Sequence, residues 1–397
     1  MQGLMQQTPL TMVHIFERAE KYHSEKTITT ATATGIERTT YGEWAARTRQ
    51  LGGVLDKLGI SENGRVATFA WNTARHLELY FAPPCTGRVT HTLNIRLFPE
   101  QLTYIVNHAE DEVIFIDRSL FALIAPLLPT FKTVKHLVIM DDGKGDIPKS
   151  VDGFQMHDYE ELLKGTPGVE FNITDENLAS SMCYTSGTTG NPKGVVYTHR
   201  STFLHTMAAM MTDGLGVSER DSILPVVPMF HANSWGLAHA AVAAGANLVM
   251  PGPDLSGKAV ADLIVNEKVT IAAGVPTIWM GVLPELKGRD TSNLRAIPCG
   301  GSAVPRALSE AYREQTGLPI LQAWGMTETS PLCVLSHPAA DAKGEEAHRL
   351  QAKSGRPVAG VRVRLVDDNG APVAEDGKTV GRLQLKGAWI ARGYHRG

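Results

Sequence analysis

Eleven consecutive residues, Tyr184-Thr185-Ser186-Gly187-Thr188-Thr189-Gly190-Asn191-Pro192-Lys193-Gly194, have the composition of a loop that grips phosphate. Glycine permits positive φ and close backbone approach. Successive amides in such a turn form an anion-binding concavity. The four hydroxyls add donors and Lys193 adds a point charge. The run is not the G-x-x-x-x-G-K-[ST] phosphate loop, because no glycine directly precedes Lys193. This chemistry predicts a protein that handles a nucleoside triphosphate. Two later stretches carry polar chemistry of their own. Gln322-Ala323-Trp324-Gly325-Met326-Thr327-Glu328 ends in a hydroxyl and a carboxylate. Taken alone, Thr327-Glu328 would be an ordinary helix cap with a first-turn acid. Pro228-Met229-Phe230-His231-Ala232-Asn233-Ser234-Trp235-Gly236 places two bulky rings four residues apart. On a helix, His231 and Trp235 would share one face and close a pocket.

The elements that position these residues follow from periodicity. Leu178 to Tyr184 and Val195 to Tyr197 read as strands on either side of the phosphate loop. Upstream, residues 12–23 and 41–58 have helical periodicity, with Thr40 and Glu43 spaced as a capping box. Arg65 to Ala70, Glu112 to Ile116 and Val134 to Met140 read as strands, with a helix over Gln101 to Ala109. Downstream, helices are expected at Ser201 to Met211 (Phe203, Met207 and Met210 on one face), Ala259 to Glu267 and Leu308 to Gln315. Strands are expected at Ser222 to Val227, Thr270 to Ala273 and Pro319 to Ala323. Leu237 to Met250 reads as a buried helix leading into a strand. This alternation predicts an α/β protein with mostly parallel sheets. Ser336 to Ser354 is small and charged without apolar periodicity, and is expected to be a mobile loop. Beyond it, Val361 to Val366 and Gly381 to Leu385 alternate like strands. Asp367-Asp368-Asn369-Gly370 between them is a hairpin signal.

The 397 residues carry a net charge of −3, which gives no indication of a nucleic-acid or membrane-surface partner. Cys85, Cys183, Cys299 and Cys333 are scattered without metal-ligand spacing and read as reduced thiols. No apolar run approaches the ~18 residues of a membrane span. With no secretory signal pattern evident, a cytoplasmic location is expected. The oligomeric state is left open, with a homodimer as one option.

The phosphate loop resembles the signature of the adenylate-forming, AMP-binding superfamily. Gly300-Gly301-Ser302-Ala303, the Trp324-Gly325-Met326-Thr327-Glu328 run and Gly393-Tyr394 resemble further motifs of that family, in its order. The resemblance is nearest to medium-chain fatty-acid and 3-methylmercaptopropionate CoA ligases. It implies two intertwined α/β subdomains over 1–334, then the loop and a small β-barrel-like subdomain over 335–397. It also implies ATP, Mg²⁺ and CoA, with a small carboxylic acid activated as acyl-AMP and passed to CoA. Loading of a carrier protein is the alternative within enzymes, and non-catalytic acyl-nucleotide binding the alternative outside them. Thr185, Ser186, Gly187, Thr188, Thr189, Gly190 and Lys193 would hold phosphate. Thr327 would hydrogen-bond the α-phosphate, and Glu328 with Thr185 would hold Mg²⁺. Gln322, Ala323, Trp324, Gly325 and Met326 would form the adenine site, with the Trp324 ring stacked on the base. Gly301, Ser302 and Ala303 would line the adenine and acyl pocket, and His231, Trp235, Gly301 and Gly325 would face the substrate. Lys193, Thr327, Glu328 and His231 are the expected catalytic set. Arg88 and Arg96 are either contacts for the CoA phosphates or a solvated basic surface. The family continues past the equivalent of Gly397 with a ribose-binding acid, a hinge and a small domain bearing a catalytic lysine. Their absence here favours an excised N-terminal piece over natural truncation. It predicts a chain that binds nucleotide and carboxylate but turns over poorly.

Overall fold

The computed structural model describes residues 1–185 and 190–397. Two large sheets carry most of the chain. One has seven strands in the order Gln155–Asp158, His136–Met140, Asp111–Asp117, Arg65–Phe69, Val89–Thr92, Ala179–Tyr184 and Gly194–Thr198. All neighbours are parallel except the last pair, an antiparallel hairpin whose connection is the phosphate loop. The other has five strands in the order Ile271–Ala273, Ser222–Pro225, Asn247–Met250, Thr27–Thr32 and Gly35–Thr40. Here Ile28 pairs in parallel with Leu248, so distant parts of the chain complete one sheet.

Parallel strands covered on both faces need continuous apolar runs. His136–Met140 accordingly buries all five of its residues. The capping box appears as expected, with Thr40 accepting from the Glu43 amide and the Glu43 side chain from the Thr40 amide. Leu237–Ala244 is buried along its whole length and leads into Asn247–Met250. A four-stranded sheet follows, ordered Pro298–Cys299, Leu321–Gly325, Leu332–Leu335 and Arg356–Pro357. The pair Val361–Val366 and Arg382–Gly387 is antiparallel.

Several local expectations are corrected. In His199–Met210, Phe203, Met207 and Met210 do pack together against the core, half-buried, but the fully buried face includes His205, Thr206 and Ala209. Polar residues can face inward there because they are satisfied: His205 Nε2 accepts from the Leu332 amide, and the Thr206 hydroxyl donates to the Thr202 carbonyl. The segment Ser336 to Ser354 contains a helix, Gly344–Gln351, with no buried residue. Acids in its first turn and bases in its last complement the helix dipole. Arg306 pairs with Glu345, and Arg313 donates to Gln351, which pins it to the neighbouring helix. Asp367 does organise a tight turn, accepting from the Asn369 and Ala371 amides. The turn folds the chain back on itself, with Val366 bridging Pro372 and the Val373 amide donating to the Leu365 carbonyl, although the longer partner strand begins only at Arg382. Arg88 is neither a solvated base nor an anion contact. It is buried, and its guanidinium donates to the Ile60 carbonyl and to Asp56.

The four cysteines are free and buried. Among the described residues no helix is long and apolar enough to cross a membrane.

Asp117 ends a central strand and is buried. Its Oδ2 accepts from the Trp71 amide at 2.7 Å, and its Oδ1 has no hydrogen-bond partner among the described residues. Burial first, and then nearby Asp142, push its pKa up to about 7. An acid whose folded pKa lies above its unfolded value takes up a proton on folding. Its contribution to stability is therefore complete below about pH 4 and is lost as pH rises through about 7. Asp117→Asn should stabilise the protein at pH 8 by up to ~4 kcal/mol, with the gain falling to ~2 kcal/mol at pH 5 and vanishing only below about pH 4. Urea denaturation at the two pH values checks this; an equal shift at both would show that the carboxyl does not titrate as described.

Candidate active site

The phosphate loop is closed at its base by its own residues. The Thr185 amide donates to the Lys193 carbonyl at 2.9 Å, and the Lys193 amide donates to the Thr185 hydroxyl at 3.1 Å. Ser186, Gly187, Thr188 and Thr189 lie outside the described residues. Lys193 projects from the loop's far end, exposed, with its Nζ 5.0 Å from the centre of the Tyr394 ring.

A cavity of about 400 Å³ opens beside this loop. Thr185, Asn191 and Lys193 form its phosphate side. Ala323, Trp324, Gly325 and Met326 form a second wall, continued by Thr327 and Glu328. This wall belongs to the strand Leu321–Gly325 and the short 3₁₀ turn after it. Two hydroxyls brace that turn. Tyr197, buried on the strand leaving the phosphate loop, donates to the Thr327 carbonyl at 2.7 Å, and Thr329 accepts from the Met326 amide at 2.8 Å. Glu328 Oε1 accepts a 2.7 Å hydrogen bond from the Tyr394 hydroxyl, which holds the phenol's pKa above its ordinary value.

The opposite wall holds His231, Ala232 and Trp235, with Leu215, Pro331 and Leu332 adding apolar surface. The geometry at 231–235 differs from the expected helical face. Ala232 to Trp235 all have positive φ, between 42° and 56°. The segment is a left-handed turn, held from beneath. Asn233 donates to Ser181, Ser234 to the Val227 carbonyl, and Asn72 bonds both the Val227 carbonyl and the Met229 amide. Left-handed backbone is costly for non-glycine residues. These buried side-chain bonds are what impose it, and the turn brings both rings to the cavity. His231 has its accessible edge on the cavity. The protein packed around the ring, then the Arg96 charge, hold its pKa below the usual histidine value. It is therefore a neutral ring at pH 7, able to donate one hydrogen bond.

Gly301 lines the cavity, as does Gly300, where an added Cβ would lie 2.7 Å from the Ala323 carbonyl oxygen and 3.5 Å from the Trp235 ring. Ser302 and Ala303 are exposed and stand outside the lining, as does Gly190. The Gln322 side chain points away; its Oε1 accepts from the Val304 amide at 2.9 Å and so fixes the loop that carries Gly300 and Gly301. Arg96 stays at the surface, 5.9 Å from the Phe230 ring centre. Tyr394 had a sequence signal in the Gly393-Tyr394 pair but no role. Leu215, Pro331 and Leu332 had none, because their place depends on how distant strands meet.

Among the described residues no group of three His, Cys, Asp or Glu side chains could enclose a metal ion. Among the described lining residues, Glu328 is the carboxylate, and Thr185, Asn191, Thr327 and Tyr394 carry further side-chain oxygens. A cation here would draw most of its ligands from phosphate oxygens and water, which is how Mg²⁺ is usually held at nucleotide sites.

The two ends of the glycine-rich loop, an aromatic wall, an acid and an apolar recess border one cavity. Residues 15–395 match the family described as AMP-binding enzyme, and the chain belongs to that family. It is 43% identical over 401 residues to the 3-methylmercaptopropionyl-CoA ligase of Ruegeria lacuscaerulensis, covering 99% of this chain and 74% of that protein. It is 41% identical to the medium-chain-fatty-acid–CoA ligase of Ectopseudomonas oleovorans, covering 99% and 73%. It is 43% identical to the long-chain-fatty-acid–CoA ligase of Thermus thermophilus, covering 98% and 71%. In fold it is similar to the anthranilate CoA ligase AuaEII bound to anthranoyl-AMP, with a TM-score of 0.86 at 23% identity over 99% of this chain and 72% of that one.

Proposed function

We propose that the cavity activates a short- or medium-chain carboxylic acid, with 3-methylmercaptopropionate among the candidates, as an acyl-adenylate. The reaction class is that of an ATP-dependent, AMP-forming acyl-CoA ligase, in which the acyl group then passes to the thiol of CoA. The observation that carries this reading is the shared cavity: phosphate loop, Trp324, Glu328, His231 and Trp235 all border one space.

In adenylation a carboxylate oxygen attacks the α-phosphorus, and the bond to the bridging oxygen breaks as pyrophosphate leaves. The nucleophile is already an anion and needs no base. The barrier is the approach of one anion to a polyanion, so catalysis rests on positioning and charge neutralisation. Lys193 meets the outer phosphates, and the Thr327 hydroxyl donates to the α-phosphate. Trp324 stacks on the base. Glu328 and Thr185 would hold Mg²⁺, whose positive charge would offset the negative charge of the phosphates. Neutral His231 donates to the carboxylate or the adenylate without drawing the acid into an ion pair that would have to break. The apolar recess of Leu215, Trp235 and Leu332 takes the acyl chain, and Trp235, packed against Gly300, closes its end.

Calorimetry with non-hydrolysable acyl-adenylate analogues from acetyl to dodecanoyl, including methylthiopropionyl, tests the reading. A sharp chain-length optimum is expected. Trp235→Ala should move that optimum toward longer chains, with each newly buried methylene worth about fourfold in affinity. Failure to bind any analogue would remove the assignment.

A further inference from the structure

Tyr394 stands far in sequence from both the phosphate loop and the acid, yet lies between them. Its hydroxyl donates to Glu328 Oε1 at 2.7 Å, and its ring lies 5.0 Å from Lys193 Nζ. The segment that carries it is fastened by backbone at three points. The Ala391 amide donates to the Glu328 carbonyl at 2.8 Å, the Ser330 hydroxyl donates to the Trp389 carbonyl at 2.7 Å, and the His395 amide donates to the Gly194 carbonyl at 2.8 Å. These bonds join the acid's turn to the strand that leaves the phosphate loop, and they would survive loss of the tyrosine side chain. Among the described residues Lys193 forms no ion pair, although an ammonium and a carboxylate border the same cavity. The Tyr394 side chain meets both groups, its hydroxyl the carboxylate and its ring the ammonium.

We propose that Tyr394 is a positioning residue: its hydroxyl aims the Glu328 carboxylate, and its ring keeps Lys193 from pairing with that carboxylate. The proposal rests on the reading above, in which Glu328 meets the cation and Lys193 the phosphates. A carboxylate has two oxygens and about four lone-pair directions. One phenolic bond to Oε1 fixes the carboxylate plane and leaves Oε2 and the remaining lone pairs for a cation. The face of the ring attracts the ammonium without neutralising it, so Lys193 remains available to an anion. The two parts of the side chain thus have separable tasks, one for each ligand.

The test is calorimetric titration of ATP into the protein with no divalent ion and across a Mg²⁺ series, with Mn²⁺ binding followed by electron paramagnetic resonance. Tyr394→Phe removes only the hydroxyl. It should raise the Mg²⁺ or Mn²⁺ concentration for half-saturation by about two- to tenfold and leave metal-free ATP affinity unchanged. Tyr394→Ala also removes the spacer, and should in addition weaken metal-free ATP binding as Lys193 collapses onto Glu328. Glu328→Gln reports on the parent reading and should abolish the cation dependence. If Glu328→Gln does so while both tyrosine variants match the parent protein, Tyr394 has no such role and the parent reading stands. Equal losses with and without metal in Tyr394→Phe would mark a merely structural residue and overturn the proposal. Unchanged cation dependence in Glu328→Gln would overturn both.

Discussion

Lys193→Ala is expected to weaken ATP binding by about 10- to 100-fold, the range for a hydrogen bond to a charged group. Adenylate formation, measured in a single turnover with enzyme in excess, should slow by about 10²- to 10³-fold, as when one donor to developing charge is removed. Lys193 is exposed and forms no ion pair among the described residues, so its removal leaves no buried group unpaired. The melting temperature should hardly move. Added salt should narrow the gap in ATP affinity between the two proteins, because the lost term is electrostatic and exposed. A large fall in melting temperature together with unchanged ATP affinity would make Lys193 a structural residue.

Gly325→Ala should have an effect of comparable size by a different route. A Cβ at this position would lie 1.8 Å from the Pro331 carbonyl oxygen and 2.7 Å from its carbon, both backbone atoms. Gly325 pairs with Leu332 across a register shift at Trp324/Gly325, and the chain between them carries Thr327 and Glu328. The methyl group can be accommodated only if that turn opens. Overpacking of this kind costs about 1–3 kcal/mol of stability. Acyl-adenylate affinity should fall at least about tenfold, because a displacement near 1 Å is enough to spoil such a site. Comparing affinity and melting temperature for the same variant decides the matter. Unaltered affinity would mean that the turn at 326–331 moves freely without consequence for the site.

What the residues disclosed in advance follows the range of the interactions concerned. The two strands flanking the glycine-rich stretch were legible because the break between them is marked locally by glycines, a proline and polar residues. The strands of the parallel sheets were legible because burial on both faces leaves apolar runs. Thr40 and Glu43 revealed a helix start because a capping box spans only three residues. The left-handed turn at 232–235 was hidden, since Asn72, in the bend after one strand, and Ser181, on another, impose it from a distance in sequence. Gln322 belonged to a recognisable motif, but only the fold shows that its amide faces Val304. Arg88 looked like a free base because nothing in its neighbourhood announces Asp56 and Ile60 as partners. The helix Gly344–Gln351 buries no residue, so it carries no apolar period to detect.

The pairing of Ile28 with Leu248 has a consequence for how this protein is made. The strand Thr27–Thr32 is flanked in the sheet by Gly35–Thr40, its hairpin partner, and by Asn247–Met250. Synthesis proceeds at roughly 5–20 residues per second, so the hairpin waits on the order of 10–40 s for its second neighbour to leave the ribosome. During that interval it presents an unpaired edge, while the seven-stranded sheet, built from residues 65–198, can already close. The nascent chain therefore passes through a state with one finished sheet and one open one. In that state the wall bearing Trp324 and Glu328 has not yet been translated. The ability to hold nucleotide arises late, and it certifies that both sheets are complete.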